Sequence, residues 1–225
     1  MDDAVRLSKR VAALASCSRS DAERYIDAGW VRVDGQVVDM PQARVTPAQQ
    51  VTLDEKASLL DLAPVTLLVH QPAGKAPVRP VPEARWPADA QGVRVLTSQL
   101  RHLQPLLPLP RSGSGLAIYS QDRRIVRKLM EEGLNIEQEW VADVTGTLPE
   151  GGLARLAQGL SMKASWQSEQ KLRFAFKGLD PSRLPALCQG VGLTVTSLRR
   201  IRIGRVPMAG LPVGMWRGLQ THERF

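Results

Sequence analysis

The stretch Val31-Arg32-Val33-Asp34-Gly35-Gln36-Val37-Val38 limits the possible folds more than any other in this chain. Valines alternate with polar residues on both sides of Asp34-Gly35, and that dipeptide accepts the positive φ angles of a two-residue hairpin turn. Two helical patterns precede it. Residues 5–15 place Leu7, Val11 and Leu14 on one apolar stripe, with Arg6, Lys9 and Arg10 off it. In the next pattern Ser20 and Glu23 have capping-box spacing, and Gly29 is a natural stop. A further strand is expected at 51–53. Residues 1–60 therefore read as a small domain of helix, turn, helix, hairpin and strand, with a linker around 54–64.

After the linker the pattern turns to strands. Residues 65–70, VTLLVH, read as the first, and a proline-rich excursion follows. A short strand is expected at 116–119. Asp122 can cap a helix that turns Ile125, Leu129 and Met130 inward and ends at Gly133. Segments around 139–146, 171–178 and 194–204 alternate like strands, and 181–192 hold a short helix. A helical module followed by a strand-rich second domain, 61–225, makes the chain α+β.

The chain has 225 residues, 43% of them apolar, enough for one well-cored domain and a smaller one. No apolar run reaches the length of a membrane span, and the N-terminus lacks the apolar core of a signal peptide. A cytoplasmic protein is expected. Cys17 and Cys188 lie far apart, and His70, His102 and His222 stand singly, so neither a disulfide framework nor a metal site is expected. The net charge of +8 is unevenly spread: residues 161–225 hold 11 Lys and Arg against 3 acids. Such an excess favours a polyanion. In an alternating strand over 199–205, Arg200 and Arg202 share one face and Ile201 and Ile203 the other. That predicts a basic stripe suited to a phosphate backbone.

Residues 106–122 read LLPLPRSGSGLAIYSQD: an apolar approach, a glycine-rich turn with an arginine, then a strand. The turn N–H groups are able to cradle a phosphate, and a plain tight turn fits equally well. It is not a nucleotide P-loop, because no Gly-Lys-Ser/Thr follows. No carboxylate lies between residues 100 and 121.

Three stretches carry a resemblance. RLSKRVAALASCSRSDAERYIDAGWVRVDGQVV resembles the RNA-binding module named after small-subunit ribosomal protein S-four. SLRRIRIGRVPMAGLPVGMWRGL resembles the closing segment of bacterial rRNA pseudouridine synthases of the RsuA/RluB/RluF type, and VTLLVHQPAG resembles the opening strand of their catalytic domain. The resemblance implies a second domain on a mixed, mainly antiparallel sheet, no cofactor, and structured, ribosomal RNA as partner. By motif position Arg6, Lys9, Arg19 and Arg24 would contact RNA. In the same register the family's catalytic aspartate falls on Pro110. The arginine after it survives as Arg111, and the family's Lys-x-Tyr reads Gln138-Glu139-Trp140. Of an arginine-rich helix, Arg183 remains. The remnant of a uridine pocket would thus be Arg111, Trp140 and Arg183. The family's chemistry flips a uridine out of the RNA, and a carboxylate assists cleavage of its glycosidic bond. Proline offers no such group. The expectation is an RNA-binding protein on a pseudouridine-synthase scaffold, catalytically impaired. The alternatives are an active synthase drawing its acid from elsewhere, and a protein-interaction module.

Overall fold

The computed structural model describes residues 3–59, 62–74, 76–89 and 95–225. Contacts divide the chain into two units, Met1–Pro64 with Val93–Leu103, and Val65–Gly92 with Gln104–Phe225. The boundary expected between residues 60 and 61 lies outside the described residues.

In the first unit, β1 (Val5–Arg6) leads straight into α1 (Leu7–Leu14). The first free N–H groups of α1 are satisfied by the chain opposite: Leu7 N–H donates to Ala43 O at 2.7 Å, and Ser8 N–H to Pro41 O at 3.2 Å. Leu7 and Val11 are fully buried, but Leu14 is 53% exposed, so the apolar stripe ends a turn earlier than its spacing suggests. The second helix, α2 (Arg19–Asp27), is capped by Ser18, whose Oγ accepts the Asp21 N–H at 3.0 Å. Ser20 is not the cap: Ser18 has the extended backbone a cap requires. Asp34 and Gly35 take φ of 51° and 80°, and join β2 (Val31–Val33) to β3 (Gln36–Val37) as the hairpin requires. The strand β4 (Arg44–Val45) pairs with β1, and β5 (Val51–Leu53) with β2. Leu7, Val11, Ala22, Ile26, Val31, Val33 and Val45 form one core.

The helix α3 (Thr97–Arg101) belongs to this unit although it lies far along the chain. Its start is held by Asp39, which accepts the Thr97 N–H at 2.8 Å, and Leu96 packs over Gly29. A Cβ at Gly29 would stand 2.7 Å from the Leu96 Cδ2. Short polar segments such as this carry no periodic signal, and the sequence patterns missed it.

The second unit is a mixed sheet of nine strands among the described residues. They are β6 (Thr66–Gln71), β7 (Gln104–Leu106), β8 (Gly113–Ser120), β9 (Gln138–Gly146), β10 (Met162–Ser168), β11 (Lys171–Phe176), β12 (Leu193–Ile203), β13 (Val206–Pro207) and β14 (Trp216–Gly218). The order is β10-β11-β9-β12-β8-β6-β14, with β13 on β12 and β7 on β8. Only β12 and β8 run parallel, so the sheet is mainly antiparallel. The helices are α4 (Arg123–Glu132), α5 (Gly152–Ala157) and α6 (Leu184–Gln189). Asp122 caps α4 through the Arg124 N–H at 2.9 Å. Met130 is 67% exposed rather than inward; Leu129 is the buried anchor of α4.

Two cores sit in the second unit. One joins Trp140, Ala142, Leu172, Phe174 and Leu198 to Leu156 of α5 and to Leu184 and Cys188 of α6. The other joins Leu68, Leu116, Ile118 and Ile203 to Leu129 of α4. Where β8 meets β12, Gly115 has φ of +95°, and any Cβ there would collide with the Arg200 carbonyl. Only glycine lets these two strands lie so close.

Candidate nucleic-acid interface

The four basic residues expected to contact RNA in the first unit are all exposed. They differ in their neighbours. Arg19 lies 3.6 Å from Glu23, and Arg24 bonds the Leu59 carbonyl and lies 3.8 Å from Asp21. No carboxylate among the described residues stands within ion-pair distance of Arg6 or Lys9. Arg6 on β1 and Lys9 in the first turn of α1 are therefore the cations most open to a phosphate.

The basic stripe expected on the last long strand does not form. A β-bulge between Arg200 and Arg202 breaks the alternation: Arg200 pairs with Trp140, but Arg202 pairs with Glu139. The two side chains thus go to opposite faces of the sheet. Arg200 is 1% exposed and lies over the Trp140 ring at 5.5 Å. Its Nε donates to Leu116 O at 2.7 Å, Nη2 to Leu107 O at 2.8 Å, and Nη1 to Gln138 Oε1 at 3.3 Å. Burial pushes its pKa down to about 9, and no carboxylate among the described residues pairs with it. Arg200 is a staple of the interior, out of reach of any RNA. Arg202 is occupied by Glu137, Glu139 and the Gly204 carbonyl.

A different row takes the place of that stripe. Strand register aligns Ser165, Arg173, Val141, Arg199 and Ser114 across five strands. The neighbouring row holds Lys163, Ala175, Glu139 and Arg202. Lys163, Arg173 and Arg199 are exposed, and Arg199 and Lys163 have no ion-pair partner among the described residues. Glu139 is held between Arg173 and Arg202. Burial works to raise its pKa, but the two guanidiniums outweigh burial and keep the carboxyl below its usual range. The signal for this row was present in the sequence as Arg199 and the alternating KLRFAFK segment. It was unreadable without the pairing register.

The Pro110 segment lies beside a cavity of about 430 Å³, within the range of small-ligand sites. Leu107, Pro108, Pro110 and Arg111 line one wall, and Ala117 and Tyr119 of β8 another. The turn comes earlier than expected: Gly113 N–H donates to Pro110 O at 2.8 Å, and β8 already begins at Gly113. Gly113 packs on the proline, because a Cβ there would stand 3.0 Å from the Pro110 ring carbons. Leu107 has φ of +48°, a conformation costly for a branched side chain, and Arg200 holds its carbonyl in place. No residue lining the cavity, among those described, is Asp or Glu.

Of the three residues expected to share a pocket, only Arg111 reaches this cavity. It is exposed at the wall. Trp140 is fully buried in the core with Phe174 and Leu184, so it offers no ring for a base to stack on. Arg183 is exposed in the 3-10 turn before α6 and does not line the cavity. The residue that sequence patterns missed is Tyr119. It read as the end of a short strand, yet it presents a phenol to the cavity. Burial raises its pKa, against a smaller opposing pull from Arg79, so it stays a protonated donor at neutral pH.

Other acids of the second unit have structural tasks. Asp89 accepts from Arg85 and from the Gly218 N–H. The Asp143 carboxyl is lowered first by the Ser197 hydroxyl, and Lys171 lies 3.6 Å away. Arg217 and Glu223 form a buried two-point pair at 2.7 and 2.8 Å. Among the described residues no group of three or more His, Cys, Asp or Glu could hold a metal ion. No helix among them is long and apolar enough to cross a membrane.

Residues 5–51 match the S4 domain family. The chain is 24% identical to the dual-specificity RNA pseudouridine synthase RluF of Escherichia coli strain K12, across 99% of this chain and 78% of that one. It is 26% identical to the ribosomal large subunit pseudouridine synthase B of Bacillus subtilis strain 168, across 97% and 93%. A solved structure of a pseudouridylate synthase superposes with a TM-score of 0.57 at 15% identity, covering 96% of both chains, which supports the shared fold. The chain thus carries an S4-domain match at residues 5–51 and is similar over nearly its whole length to the pseudouridine synthases RluF and B.

Proposed function

We propose that this protein binds structured ribosomal RNA in the cytoplasm as a pseudoenzyme of the pseudouridine synthase scaffold, with isomerisation impaired or lost. In this reading the two units each contact RNA. Arg6, Lys9, Arg19 and Arg24 hold phosphates in the first, and Arg199, Arg173 and Lys163 in the second. Their grip is electrostatic and largely blind to sequence.

The observation that carries the loss of activity is Pro110. It occupies the wall of the cavity, where the family resemblance sets a catalytic aspartate, and it is packed into a hydrogen-bonded turn. A proline there gives no nucleophile and no acid or base. Three carboxylates elsewhere in this unit are engaged: Glu139 by two arginines, Asp143 by Ser197, Asp122 by its helix. The cavity keeps a largely apolar wall and a phenol, features that suit an unpaired base without supplying the group that would cut its glycosidic bond.

The reading is tested with ribosomal RNA transcripts, titrated at several salt concentrations against the wild type and Arg199→Glu. The expected outcome is binding that weakens steeply with salt, with a salt slope smaller by about 1 in the variant. Binding that is indifferent to both would leave the protein-interaction reading in its place.

A further inference from the structure

The helix α4 carries a second charged surface that the interface above does not use. Leu129 anchors α4 in the core with Leu116 and Ile118, flanked by Ile125 and Val126. The other side presents Arg123, Arg124, Arg127 and Lys128, all exposed. At 100° and 1.5 Å per residue, these four span an arc of about 140° and about 7.5 Å of helix axis. Their side chains surround a shallow groove of about 500 Å³ that Glu131 and Glu132 close at one end.

The local acids neutralise this face only weakly. Arg124 lies 3.3 Å from Asp122, with its side chain 91% exposed, and Arg127 lies 3.4 Å from Glu131, 79% exposed. Ion pairs so open to solvent are worth little and yield to a competing phosphate. Arg123 and Lys128 have no ion-pair partner among the described residues. Leu106 and Ile118 of the core beneath α4 also line the cavity, but no residue of α4 does, and the groove is lined by α4 residues alone. The basic face of α4 is therefore a separate surface from the cavity.

We propose that this face is a second phosphate grip, which holds a further segment of the same RNA backbone. The proposal rests on the RNA-binding reading and extends it to a surface outside the cavity. A phosphate backbone is favoured over an acidic protein because the four cations surround no apolar anchor; Met130 stands at their edge.

The test is the double variant Arg123→Glu with Lys128→Glu in the full-length protein, titrated with a ribosomal RNA transcript across salt. Glutamate in the first turn favours the helix dipole, so the Arg123 change does not weaken α4, and an unchanged thermal midpoint confirms folding. The expected result is a several-fold higher Kd and a salt slope smaller by about 2. If the double variant binds as the wild type does while Arg199→Glu weakens binding, the α4 proposal falls and the RNA reading stands. If the wild type binds no RNA, both fall. If Met130→Lys weakens binding as much as the double variant, the surface is apolar in character and the phosphate grip is refuted.

Discussion

Arginine has opposite fates at the two ends of this chain. Near the N-terminus Arg6, Arg19 and Arg24 sit on short elements with one exposed side, and every one reaches solvent. Near the C-terminus Arg199, Arg200, Arg202 and Arg217 sit on sheet strands, and they divide. Arg199 is exposed, Arg202 is tied to two glutamates, and Arg200 and Arg217 are 1% and 2% exposed. The C-terminal third has the larger charge excess, yet much of it is structural. Local charge density therefore overstates how much of a strand-rich segment can meet a polyanion; burial and register decide.

That contrast is open to test by substitution. The largest effect is expected at Arg217→Ala, which strands Glu223 in the interior and should cost about 3–5 kcal/mol of stability in urea unfolding. Arg200→Ala should cost about 3 kcal/mol, since it leaves the Leu107 and Leu116 carbonyls unpaired. Either variant unfolding like the wild type would remove the structural half of the contrast. At the other end, Arg6→Glu with Lys9→Glu should leave the urea midpoint unchanged while raising the Kd for RNA at least tenfold. A lowered midpoint with normal RNA affinity would reverse the assignment.

Acid should act on the C-terminal pair as well. Burial works to raise the Glu223 pKa, but hydrogen bonds from Arg217 and the Gln220 N–H outweigh it and hold the carboxyl low. Its stabilisation is present above the ordinary glutamate value of about 4.3 and is lost as pH falls through the lower folded value. Glu223→Gln should therefore flatten the acid limb of the stability curve. The smallest effect belongs to Asp27, whose pKa is raised first by burial, with Glu23 and Asp39 adding to it against Arg101. A raised carboxyl destabilises the fold above its own pKa, so Asp27→Asn should lift the thermal midpoint slightly at pH 7 and not at pH 3.

The parts of this molecule legible in the sequence are those where one local rule decides. Asp34-Gly35 declares its hairpin, Asp122 its helix, and alternation marks β9, β11 and β12. What stayed hidden depends on partners distant in the chain. The pairing of β1 with β4 and the placement of α3 rest on contacts 40 and 58 residues apart, at Val5 with Val45 and Thr97 with Asp39. The bulge beside Arg200 shifts the facing of side chains along β12, and a strict period of two fails there. Hence Arg200, expected on a phosphate-facing stripe, lies in the core. Trp140, which the resemblance set in a uridine pocket, is core as well. Tyr119 went unnoticed although it faces the cavity.

The central claim is that the Pro110 cavity has kept its place and lost its chemistry. The most direct measurement is release of tritium from ribosomal RNA labelled at uracil C5, with binding followed on the same RNA. Salt-sensitive binding with no release above background is the predicted result. Release that continues through repeated turnovers, and stops on changing a single aspartate or glutamate, would contradict the account and identify the acid that Pro110 does not supply.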